Sequence, residues 1–365
     1  MNQREDAAAV VLALAAVGKI GPVRIKAILA QAEHPADILS WDAEQFCRVP
    51  GIQQELAGRI LQKFDVAYGQ RLIEWAKKRN LSITTLADPD YPPMLRAIYD
   101  PPPFLFMAGK WSEADNKAVA IVGSRNASEY GKSTAASLAS ELARHGITVV
   151  SGLAIGVDAA SHKGALTAEG RTIAVLGSGI DVIYPPNHAG LYKEIVENGA
   201  VFSEFFPGIG PNPGHFPRRN RVIAGLAQAV VVVEAGSKSG ALLTADLALT
   251  QGKKLFAVPG SVGSVQSSGA NELIKAGAYL LTSVDDIFTV LPELKSGYAA
   301  PAKRVAADLS EGEGLVFNCL SANPMQFDVL VRESGLTVSD VSAYVLSLEL
   351  RGMIRQLSGK RFIVV

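Results

Sequence analysis

Short apolar runs punctuate the middle of this chain. They are Ala118–Val122, Ile147–Val150, Thr172–Leu176, Val201–Ser203, Ala229–Val233, Leu255–Val258 and Tyr279–Leu281. Most are followed by small or polar residues and then by a longer stretch of helical spacing. Those stretches lie near Tyr130–His145, Val157–Glu169, Leu191–Asn198, Asn220–Leu226, Ala241–Gln251, Asn271–Ala276 and Val284–Leu291. Strand and helix alternate, and the strands are apolar throughout, not at every second position. That pattern predicts an α/β fold, a Rossmann-like, mainly parallel sheet covered on both faces.

The flanks read differently. Ala7, Val10, Val11, Leu14 and Val17 recur at helical spacing and predict a buried helix. Gly18-Lys19-Ile20-Gly21-Pro22 separates it from a second helix, Val23–Glu33, and Val49-Pro50-Gly51-Ile52 precedes a third near Glu55–Phe64. Both turns resemble a helix-hairpin-helix, although Gln53 stands where a second glycine is expected. Proline-rich pieces at 88–103 cannot continue a helix or a central strand, and are expected to lie across a surface in extended form. Pro292–Asp308 reads as a linker. Beyond it, Gln326–Glu333, Ser339–Arg351, Met353–Leu357 and Arg361–Val365 fit a winged helix, with Val338, Val341, Val345 and Leu348 on the buried face of the second helix. The domains expected are residues 1–80 (helical, SAM/helix-hairpin-helix-like), 81–295 (the extended Rossmann-like unit) and 309–365 (winged helix).

Composition narrows the partners. The chain has 365 residues, 48% hydrophobic and 19% charged, with zero formal net charge. That excludes a protein coated in basic residues but leaves room for one focused basic groove. Cys47 and Cys319 are the only cysteines, so no disulfide framework is available and a reducing compartment fits. The run Ala7–Val17 is too short to span a bilayer, and Glu5 and Asp6 give it the wrong flank for a signal peptide. A cytoplasmic protein with no membrane span is the expectation.

In parallel sheets ligands sit beyond the carboxyl ends of the strands. The residues there are Gly123-Ser124-Arg125-Asn126, then Ser151-Gly152, then Gly177-Ser178-Gly179 running on to Tyr184-Pro185. Next come Glu204 with Phe216-Pro217-Arg218-Arg219-Asn220-Arg221, and finally Glu234 with Lys238-Ser239-Gly240. Three guanidiniums at a helix start oppose the helix dipole, which requires something negative nearby. A phosphate chain satisfies that requirement, and so does a cluster of internal carboxylates. Phe216 adds a surface on which a base can stack. For any one loop, glycines merely closing a tight turn explain the pattern. Several such loops on one edge, with arginines on two, favour an extended phosphate-binding surface.

These motifs resemble the DNA-processing protein A family (DprA, also called Smf). The resemblance is carried by Ala120–Arg125 with Tyr130-Gly131, Ser151–Leu166, Thr172–His188, Phe216–Arg221, Val230–Leu249, Val258–Gly260 and Ser268–Ala278. It implies a single-stranded DNA binding protein of natural transformation that protects incoming strands. It further implies loading of RecA in place of single-strand binding protein, a homodimer through the central domain, no cofactor and no catalysis. By position, Arg125 would hold phosphate, Phe216 would contact a base, and Arg218, Arg219 and Arg221 would line the same groove. Gly123, Ser124, Ser151, Gly152, Asn220, Lys238, Ser239 and Gly240 complete the expected surface. Basic residues that relatives often carry after Tyr184-Pro185 and before Phe216 are missing here; Arg219 and Lys238 are the candidates to replace them. On this reading Arg125 and Arg219 can each be replaced by Ala with a loss of affinity and an intact fold.

Rival chemistries are weaker. Tyr130-Gly131-Lys132-Ser133-Thr134 lacks the first glycine of a phosphate-binding loop, because Asn126 occupies that place. No glycine triplet of dinucleotide spacing joins the first strand to its helix. The strongest rival is a nucleotide-cleaving hydrolase of the lysine-decarboxylase-like type, with Glu204, Glu234 and Asp158 as working carboxylates. Capping and pairing with the arginines is the plainer role for those acids. His162 and His188 have no second histidine at ligand spacing, so each is read as a packed or surface residue.

Overall fold

The computed structural model describes residues 3–295, 309–320, 325–357 and 359–364. In chain order the strands of the large sheet are β1 (Ser82–Thr85), β2 (Phe104–Gly109), β3 (Ala118–Val122), β4 (Thr148–Ser151), β5 (Thr172–Val175), β6 (Ala200–Ser203), β7 (Ala229–Val232), β8 (Lys254–Ala257) and β9 (Tyr279–Leu280). Their spatial order is β1-β2-β6-β5-β4-β3-β7-β8-β9. From β6 to β9 all pairings are parallel; β2 joins β6, and β1 joins β2, antiparallel. Ala120 lies opposite Val150 on one side and Val230 on the other. Alternate residues of β3 enter different cores: Ala118, Ala120 and Val122 one, Val119 and Ile121 the other. Helices therefore cover both faces, which is why every position of the strand is apolar.

The apolar runs of the sequence all became strands, and the fold class is the one they predicted. The strands β1 and β2, at one end of the sheet, did not stand out. They are paired antiparallel and need no crossover helix, so the β–α alternation that betrayed the others is missing.

The proline-rich segment corrects an expectation. It does not lie across a surface. Tyr91, Leu95 and Ile98 are buried, and Leu95 and Ile98 pack against the helix His215–Leu226 at Gly225. The Tyr91 hydroxyl donates to the Pro102 carbonyl at 2.9 Å. The Arg96 guanidinium donates to the carbonyls of Leu86 and Asp88 and lies over the Tyr91 ring. Prolines remove donors from this segment, and side chains such as Arg96 satisfy the carbonyls that remain.

By contacts the chain divides into two compact units, Met1–Tyr298 and Ala299–Val365. In the first, the helix Gln3–Ala16 is buried over most of its surface. Ala8, Ala9 and Leu12 pack with Phe104 and Phe106 of β2, while Val10, Val11 and Leu14 pack with Ile25, Ile28 and Ile60 of the following helices. One helix thus serves two cores.

In the second unit, helices Glu311–Cys319, Phe327–Ser334 and Val338–Leu350 pack with a small sheet of Met325–Gln326, Ile354–Leu357 and Arg361–Val364. Val341, Val345 and Leu348 are buried as expected, but Val338 is 61% exposed. It occupies the first helical position after the capping residue Thr337, where the side chain clears the core. Ser347, expected outside, donates to Glu313 at 2.6 Å. Most of the linker expected at Pro292–Asp308, and Ser358 of the wing turn, lie outside the described residues. Among the described residues no helix is long and apolar enough to cross a membrane.

Candidate nucleic-acid interface

The loops after β3, β4 and β5 meet the first turn of the helix His215–Leu226. The turn after β3 is fixed by backbone bonds. The Ser124 amide donates to the Glu234 carbonyl at 2.6 Å, and the Val157 amide donates to the Ser124 carbonyl at 3.2 Å. Arg125 and Asn126 are the exposed residues of this turn. The Arg125 guanidinium sits 4.5 Å from the centroid of the Phe216 ring. A cation so placed is drawn to the ring face and still keeps donors for an anion.

Two glycines make the rest possible. A Cβ on Gly177 would fall 2.9 Å from Phe216 Cδ1, so glycine lets the ring rest on the loop after β5. A Cβ on Gly152 would fall 2.6 Å from the Arg219 guanidinium. Without it, Arg219 reaches the Gly152 carbonyl at 2.6 Å and also donates to the Val175 carbonyl. Arg219 is only 4% exposed. Burial pulls its pKa down to about 10, with Asp158 opposing that shift, so it stays cationic at neutral pH. Asp158 accepts from the amides of Gly152 and Ala154, and its carboxyl is pushed up by burial against the pull of Arg219.

The result is a hollow of about 120 Å³. Phe216 and Tyr184, with ring centroids 6.2 Å apart, form its aromatic wall. Arg125 and Arg219 supply charge, and Gly152, Gly177 and Ser178 supply close backbone. Tyr184 is 45% exposed at the rim. It was the functional candidate most readily missed. An aromatic in a strand-end loop is the available signal: Tyr184-Pro185 ends the loop after β5 that the strand-end rule marks, although Tyr184 is not among the expected contact residues.

The structure separates the other expected residues. Arg218 and Arg221 project from the helix toward Glu204, not into the hollow. Arg221 is buried, paired with Glu204, and donates to the Asp100 carbonyl. Arg218 is about half exposed, 3.3 Å from Glu204 and stacked over Phe205. Burial pushes the Glu204 carboxyl up, and the two arginines oppose it. The expectation that all three arginines line one groove is corrected here. For Arg221 the internal carboxylate reading fits; Arg218 keeps about half its side chain exposed beside Glu204. Asn220 is buried and accepts from Arg219 Nε at 3.2 Å. Ser151 is buried and donates to the Ile121 carbonyl at 2.6 Å. Gly123 and Ser124 shape the Arg125 turn. Lys238, Ser239 and Gly240 follow β7 and are not among the residues lining the hollow. Ser239 caps the helix Gly240–Thr250 through Ala241.

The rival carboxylates are engaged. Glu234 accepts from the Ser128 amide at 2.8 Å and hydroxyl at 2.6 Å, bracing the start of the helix Glu129–Arg144. His162 is fully buried against the Thr172 hydroxyl at 2.7 Å, and burial pulls its pKa down to about 3. His188 pairs with the Leu153 carbonyl at 2.9 Å. Among the described residues no group of three or more His, Cys, Asp or Glu is placed to hold a metal ion.

Comparison with known proteins follows the same outline. A family model described as DNA recombination-mediator protein A matches residues 82–292, the DprA winged helix domain matches 300–360, and a SAM-like helix-hairpin-helix tandem matches 11–65. Protein Smf of Synechocystis is 31% identical across 96% of this chain and 97% of that protein. The X-ray structure of DNA processing protein A from Streptococcus pneumoniae superposes with a TM-score of 0.68 at 34% identity, covering 76% of this chain and 96% of that one. A Helicobacter pylori structure, described for its single-stranded DNA binding mode, gives a TM-score of 0.53 at 32% identity, covering 59% and 97%.

Proposed function

Because the chain belongs to the DNA recombination-mediator protein A family, we propose that it binds single-stranded DNA in the strand-end hollow, without reading sequence, as a DNA-processing protein of natural transformation. The observation that carries this is the stack of Arg125 on Phe216, 4.5 Å apart, over a buried Arg219. A base stacks on an aromatic whatever its identity, and cations take the phosphate. Arg125, Phe216 and Tyr184 make direct contact. Gly123 and Ser124 hold Arg125; Gly152, Val175 and Asn220 hold Arg219, and Ser151 ties the end of β4 to Ile121 of β3. Lys238, Ser239 and Gly240 extend the anion-binding edge beyond β7. Arg221 is structural.

The protected strand is then handed to RecA while single-strand binding protein is displaced, and the active form is a cytoplasmic homodimer. Exposed Leu243, Leu249, Tyr279 and Leu280, on the β8–β9 side of the sheet, support a self-association surface there. No catalysis is assigned, because Glu204, Glu234 and Asp158 are each committed to internal bonds. Gel shifts of single- and double-stranded oligonucleotides across a salt series test the proposal. Tight, salt-sensitive retention of the single strand is expected. Equal retention of duplex, or turnover of a nucleoside monophosphate that is lost in Glu234→Gln, would overturn it.

A further inference from the structure

A second cavity, of about 300 Å³, lies beside the hollow and shares none of its lining residues. It opens between the first helical hairpin and the sheet, both within the first compact unit. Its walls are apolar and aromatic: Ile20 and Ile25 from the hairpin, Phe104 from β2, Phe205 and Ile209 from the segment after β6. Lys19 and Arg218 stand at its edge, both exposed. Glu204 also lines it, but that carboxylate is already paired with both Arg218 and Arg221, so the lining stays net cationic.

The two cavities flank a single helical turn. Phe216 lines the hollow, while His215 and Arg218 line the second cavity. A strand whose base rests on Phe216 and whose phosphate meets Arg125 has its neighbouring nucleotide within reach across that turn. We propose that this cavity is a second base subsite, accepting an adjacent nucleotide of the same single strand, with its base against half-buried Phe206 and exposed Ile209 and its phosphate between Lys19 and Arg218. The inference rests on the proposed role of the hollow. It gives the helical hairpin a task that its decayed second copy would not suggest. Aromatic and apolar walls suit an unpaired base of any identity, and the flanking cations suit the phosphate linking it to the first.

The test uses the full chain and oligonucleotides carrying 2-aminopurine at successive positions. Ile209→Trp fills the mouth of the cavity from an exposed loop. Lys19→Gly removes a cation at a residue whose φ of +61° glycine adopts freely. Both variants are expected to melt with the wild type. Each is expected to lose the fluorescence change at one position next to that held by Phe216, and to bind longer oligonucleotides about tenfold more weakly while binding the shortest equally well. If both variants keep the wild-type profile at every position and length, the second subsite is wrong. If the wild type binds no single strand at all, the reading of the hollow fails first.

Discussion

The two sides of one helical turn, each carrying arginine, do different work. On one side Phe216 and Arg219, three residues apart, face the hollow. On the other, Arg218 and Arg221, also three apart, face Glu204. Spacing of three puts each pair on a common helical face. The difference lies in what compensates the charge. Arg221 is neutralised by a buried carboxylate and by Asp100. Arg219 is held mainly by backbone carbonyls and by the side chain of Asn220, so its charge is desolvated without a hydrogen-bonded carboxylate. A cation hydrogen-bonded to dipoles, with Asp158 balancing it only through space, keeps more positive field at the floor of the hollow than one bonded directly to an anion. An arginine-rich run therefore does not imply an arginine-lined groove.

The contrast can be broken first at Arg219. Arg219→Ala strips two carbonyls of their donor and leaves Asp158 buried without its nearest cation. A loss of about 3 kcal/mol of stability is expected by chemical denaturation. The sequence-based expectation that this position can be emptied without cost to the fold does not survive its burial. If Arg219→Ala melts with the wild type, the dipole-held cation is the wrong description. Next is Arg221→Ala, which leaves buried Glu204 only the half-exposed Arg218 as a cationic partner; a cost of about 2 kcal/mol is expected, with single-strand affinity unchanged in the folded fraction. A comparable drop in affinity would place Arg221 in the interface and erase the distinction.

Acidification probes the same desolvated region through His162. Its folded pKa, about 3, lies below its ordinary 6.5. The unfolded chain then binds the extra proton between those values, so stability is present above pH 6.5 and is lost as pH falls. From pH 6.5 to 5 the loss is about 2 kcal/mol. A His162→Gln variant is expected to show a flatter acid limb, and an unchanged one would remove His162 as its cause. The smallest effect is expected at Arg125. Arg125→Ala should leave melting untouched and weaken single-strand binding about tenfold for all sequences, with the salt slope reduced by about 0.7. Sequence-dependent losses would instead make Arg125 a base reader.

Much of this was legible in advance. The β–α alternation located the parallel strands, and the strand-end rule located the loops that form the hollow. Burial of Glu234 at the start of a helix followed from ordinary capping. The antiparallel strands β1 and β2 were not legible, nor was the inward course of Tyr91 and Leu95. Their partners lie far along the chain, and proline content hid their burial.

The sequence alone determined the layered sheet and the edge where its loops gather, because both follow from period and chain order. It could not assign the four cations nearest that edge to their tasks. Arg125, Arg218, Arg219 and Arg221 differ in what lies within hydrogen-bonding reach, and the carbonyls of Gly152 and Val175, the Phe216 ring and Glu204 were brought there by tertiary packing. Charge is a property of the residue; whether it is spent internally or offered to a ligand depends on neighbours that only the folded chain supplies.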